Sequence, residues 1–80
     1  MSKSAFNYEP LYTDFRKVIN VLSSSTNPQH IVASDRMSEL FSKKWNPQVS
    51  KNKDAVNVLE CLLGIYQTRK EVVAKRFNVN

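Results

Sequence analysis

Asn52–Phe77, NKDAVNVLECLLGIYQTRKEVVAKRF, is the stretch that decides the fold. Asn52 can cap the free amides of a first helical turn, and Asp54 sets a negative charge at the positive end of the helix dipole. From there Val56, Leu59, Leu62, Leu63, Tyr66, Val73 and Phe77 fall at spacings that mark one face of an α-helix. A second apolar set, Val58, Cys61, Ile65 and Val72, lies off that face. Between Ala55 and Tyr66 the helix is therefore apolar nearly all round, with Asn57 and Glu60 the exceptions. Such a helix is expected to be buried on more than one side. Its 26 residues would run to about 39 Å, longer than either helix before it, so either those two helices sandwich its first half or a second molecule does.

Gly64 is the only glycine. Inside a helix it costs about 1 kcal/mol relative to alanine. With Cys61 and Thr68 it makes a row of small residues at spacings of three and four. That row reads either as a close crossing with another helix of the same chain or as a groove for association. The second reading implies a homodimer seam on the third helix or a docking site for a partner.

Upstream, residues 1–8 read as a flexible arm, and Glu9-Pro10 opens a helix over about 9–24. Leu11, Phe15, Val18 and Leu22 give that helix its apolar face, with Tyr12 and Ile19 beside them. The polar run from Ser23 to Pro28 breaks it. A second helix starts at Pro28 after an Asn27 cap, or at Asp35 after a Ser34 cap. Ile31, Ala33, Met37, Leu40, Phe41 and Trp45 supply its buried row. Pro47 ends it near residue 45, since the residue before a proline is pushed out of the α region. Residues 46–52 are then a polar connector to the third helix at 53–77. The expected architecture is all-α, one small three-helix bundle with a long C-terminal helix.

Eighty residues, 41% of them hydrophobic, suit one small domain with a core. One cysteine and one histidine can form neither an internal disulfide nor a four-ligand nitrogen and sulfur metal site. The amino terminus has no apolar run of the secretory kind, and no stretch reaches the ~18 apolar residues of a membrane span. A soluble, intracellular and most simply cytoplasmic protein is the expectation, with no membrane partner.

Enzyme chemistry lacks its parts. Cys61 sits in the apolar half of the third helix, away from the electropositive setting that makes a thiolate. His30 follows a helix start and reads as a surface residue. With one glycine there is no phosphate-cradling loop. The carboxylates are scattered, and Asp35 with Glu39 reads as a solvated face. No catalytic residue, metal or cofactor is assigned.

Charge is the more informative property. Residues 42–53 hold Lys43, Lys44, Lys51 and Lys53 without an acid, and residues 67–80 hold Arg69, Lys70, Lys75 and Arg76 against Glu71. The net charge of +5 is thus concentrated in one loop and one tail. Lysines around Trp45 can meet phosphates while the indole stacks on a base. The plainer alternative is that Trp45 closes the core and the lysines solubilise a loop.

Leu11-Tyr12 opening a helix, Arg16-Lys17 after it, Phe41 ending a second helix and a long third helix resemble the layout of the small LYR-motif adaptor proteins of mitochondria. Thr13 stands where that family has arginine, and Leu22 where it has phenylalanine. The resemblance would imply an assembly adaptor whose partner is an acyl carrier protein with an acidic surface.

Two functions are therefore expected. One is a non-enzymatic binding or regulatory protein whose basic surface meets nucleic acid or a nucleic-acid-handling complex. The other is a protein–protein adaptor or inhibitor, either an accessory subunit or an antagonist of a host enzyme of the phage or plasmid type.

Overall fold

In the computed structural model, residues 6–77 are described. They form α1 (Tyr8–Ser23), α2 (Pro28–Val49) and α3 (Lys53–Lys75), each packed on the other two as a three-helix bundle. The expected arm at 1–8 falls largely on residues 1–5, outside the described residues.

Each helix starts on an asparagine. The Asn7 side chain accepts the Glu9 amide at 3.2 Å, Asn27 accepts Gln29 at 3.0 Å and His30 at 3.3 Å, and Asn52 accepts Ala55 at 3.1 Å. These bonds satisfy amides that have no partner within the helix. Asn27 is the true start of α2, with Pro28 in the first turn, and the alternative start at Ser34 is not used. α1 starts one residue ahead of Glu9, because Asn7 supplies the cap.

The core consists of Leu11, Val18 and Leu22 from α1, Phe41, Trp45 and Val49 from α2, and Ala55, Leu59, Leu62, Tyr66 and Val73 from α3. Phe15 meets Phe41 with ring centroids 5.8 Å apart, and Phe6 lies edge-on to Trp45 at 6.0 Å.

Three local expectations are corrected. Pro47 does not stop α2, which runs on to Val49. A proline removes one bond, here to the Lys43 carbonyl, and so close to the helix end that loss is offset by burying Val49, which is 1% exposed. Side chains support this last turn: Gln48 Nε2 donates to the Lys44 carbonyl at 3.1 Å, and the Ser50 hydroxyl donates to the Pro47 carbonyl at 3.0 Å. The connector shrinks from residues 46–52 to residues 50–52.

Leu40 is 60% exposed, and Ala33 also faces solvent. The inward row of α2 is Ser34, Phe41, Trp45 and Val49, and Leu40 is rotated about 100° from Phe41. The third correction concerns α3. It is one unbroken rod, but α1 and α2 both lie against the same side of it. Ile65 is left 50% exposed and Val72 53%, and Cys61 is exposed too. Nothing lies within 4 Å of where a Gly64 side chain would begin, so the small-residue row is not a helix crossing within this chain.

Candidate functional site: the outward face of the third helix

Two ion-paired clusters fix how the helices meet, and both absorb residues that the sequence offered as binding groups. Between α1 and α2, the Asp14 carboxylate accepts from Lys44 Nζ at 2.7 Å and from Trp45 Nε1 at 3.0 Å, through the same oxygen. Donation from Lys44 is the main cause holding the Asp14 pKa below its ordinary value, with Trp45 adding to it against the cost of burial. Lys44 Nζ also stands 5.4 Å from the centre of the Trp45 ring. Trp45 is only 4% exposed. It closes the core and presents no face on which a base could stack.

Between α2 and α3, the Tyr66 hydroxyl donates to Asp35 at 2.6 Å, and Lys70 Nζ donates to the other Asp35 oxygen at 3.0 Å. The Ser34 hydroxyl lies 2.9 Å from Tyr66 and 2.9 Å from the Ile31 carbonyl. Two hydroxyl protons serve three contacts. Tyr66 gives its proton to the charged carboxylate, and Ser34 shares its own between the phenol oxygen and the carbonyl. Burial, and then the bond to Asp35, push the Tyr66 pKa up to about 12. Asp35 keeps its side chain 42% exposed on the face that it shares with Glu39, and it also holds Tyr66 and Lys70. Sequence reasoning missed this set, although Tyr66 and Lys70 at i,i+4 share a helix face and were its one visible sign.

The remaining basic residues do not form one surface. Lys43, Lys51 and Lys53 are exposed around the turn between α2 and α3. Arg69, Lys75 and Arg76 are exposed toward the far end of α3. Lys53 and Lys75 are separated by about 33 Å of helix. The two ion pairs among the described residues use Lys44 and Lys70 and none of these six.

Cys61, Gly64 and Thr68 do come together. With Ile65, Arg69 and Val72 they line a shallow open groove along the outward side of α3. Here the chain presents contiguous apolar surface with a basic edge, in contrast to Val32 and Leu40, which stand on different sides of α2. His30 lies in the first turn of α2, where its Nδ1 accepts the Thr26 amide at 3.0 Å. Among the described residues no three of His, Cys, Asp and Glu gather as metal ligands would, and no helix is long and apolar enough to cross a membrane.

No protein-family model, curated protein or solved structure matches the chain. The resemblance to LYR-motif adaptors thus rests on helix layout alone.

Proposed function

We propose that this chain is a non-enzymatic protein–protein interaction module whose docking surface is the outward face of α3. The observation that carries this reading is the half-exposure of Ile65 and Val72 within one groove, on a helix whose core-facing row lies about 90° round from Ile65. Aliphatic side chains left in water beside a basic rim are the pattern of an interface that a partner completes. The test uses Ile65→Glu and Val72→Glu, both at solvent-facing positions where the fold tolerates a charge. The folded wild type captures its partner with Cys61 shielded from alkylation, and both variants lose the partner. Variants that stay folded and capture the same partner would overturn the reading.

A second reading is favoured by one observation: Lys43, Lys51 and Lys53 surround a short turn, exposed and outside the two ion pairs. A nucleic-acid phosphate backbone could be met there. Three lysines limit the salt dependence to a log–log slope of about −3. Replacing all three by glutamine should remove that binding, and a flat salt response in the wild type would discard it.

A further inference from the structure

We infer that the occupant of the α3 face is a second copy of this chain, packed antiparallel across a two-fold axis at Ile65. The inference rests on reading that face as a docking surface and names what docks there. Asp54, Val58, Cys61, Ile65, Arg69, Val72 and Arg76 all lie within about 40° of one line along α3. Apart from the half-buried Val58, all are exposed. The line begins with an acid, is mostly apolar in the middle and ends with a base.

A two-fold contact requires that residue i face j of the other copy while j faces i. The line satisfies this about Ile65. Asp54 and Arg76 lie equally far on either side of it, as do Val58 and Val72. Antiparallel packing therefore sets Val58 against the second Val72, Cys61 against the second Arg69, Ile65 against its own copy, and Asp54 against the second Arg76, the ion pair occurring twice. Parallel packing would instead set Asp54 on Asp54, Arg69 on Arg69 and Arg76 on Arg76, like charge against like. Charge complementarity therefore selects the antiparallel form. Lys53 and Lys75 are turned about 80° or more from the line and stay in solvent.

The single cysteine makes the geometry testable. In the antiparallel pair the two Cys61 residues stand about 12 Å apart along the axis, beyond the roughly 4.4–6.8 Å between Cα atoms that a disulfide spans. Position 65 meets itself. The experiment combines light scattering on the full chain with mild oxidation, using circular dichroism to confirm folding. The expected results are a reversible species of twice the 9.2 kDa chain mass, no disulfide dimer from wild type, and a covalent dimer from Cys61→Ser/Ile65→Cys. Val58→Cys/Val72→Cys in the Cys61→Ser background should cross-link as well, by a different pair. Rapid Cys61 cross-linking in the wild type would mean parallel packing, in which every position meets its own copy, and would overturn the inference. A monomer at millimolar concentration would also overturn it, while leaving the face for a different protein, as the Ile65→Glu capture experiment then decides. A dimer indifferent to Ile65→Glu and without cross-linking at 65 would overturn both the inference and the docking reading beneath it.

Discussion

Tyr66 gives its phenolic proton to Asp35 at 2.6 Å across the α2–α3 interface, where Tyr66 is only 1% exposed. The bond joins a buried donor to a charged acceptor, the class of hydrogen bond with the largest net contribution. Lys70 neutralises the far side of the same carboxylate. Because a phenol reaches a serine and a carboxylate at once, this cluster sets the register of α3 against α2 more sharply than aliphatic packing does.

Tyr66→Phe should keep the ring and lose the donor, costing about 1.5–3 kcal/mol of unfolding free energy in urea titration. The same contact gives an alkaline dependence. Folding raises the Tyr66 pKa from 10.0 to about 12, so the native state holds this proton more tightly than the unfolded chain. The contribution is complete below pH 10 and disappears as pH rises from about 10 to 12. Wild type and Tyr66→Phe should therefore converge in stability across that window. Curves that stay parallel would remove the titrating phenol from the account.

Asp14→Asn should lower stability by about 1 kcal/mol, since an amide can still accept from the Trp45 indole but no longer pairs with a charge. The Asp14 pKa is depressed in the fold, so its contribution is present above the unfolded value of 3.8 and is lost as pH falls through the folded one. Trp45 is the only tryptophan, and its fluorescence should report acid unfolding at a higher pH in the variant than in the wild type. Coincident transitions would contradict a structural role for the pair.

Gly64→Ala should stabilise the fold by about 1 kcal/mol, because the new methyl group meets nothing within the chain and the helix loses a flexible residue. Pro47→Ala should stabilise as well, by restoring an amide donor for the Lys43 carbonyl. Thermal melts of the two variants measure both effects, and a loss of stability at Gly64 would reveal a neighbour that the fold does not show.

What the sequence made legible was local chemistry. Asn27 and Asn52 announce helix starts because capping involves residues two or three apart, and the apolar row of α3 needs only its own period to be seen. Pro47 was misread for the opposite reason. Its local rule says stop, and only the packing of Val49 into the bundle outweighs it. Leu40 and Phe41 are adjacent and equally apolar, so the choice between them is made by α1 and α3, about 100° of rotation that no window within α2 contains. Ser34 is invisible to a hydrophobic pattern because it is buried for its hydroxyl. The basic residues show the largest gap. Lys44 and Lys70 find their acids 30 and 35 residues away, and the helix between Lys53 and Lys75 carries the rest to separate ends. The groove of Cys61, Gly64 and Thr68 was legible as a row, but its outward direction was not.

Charge exchange at the ends of α3 tests the antiparallel pairing most directly. In light scattering of the full chain, Asp54→Arg alone and Arg76→Asp alone should each weaken the dimer, and Asp54→Arg/Arg76→Asp together should restore it. The two positions are about 33 Å apart within one chain, and both exchanges oppose the helix dipole, so recovery in the double variant can come only from the second copy. A double variant as weak as the sum of the single ones, with the helix still folded, would contradict the pairing.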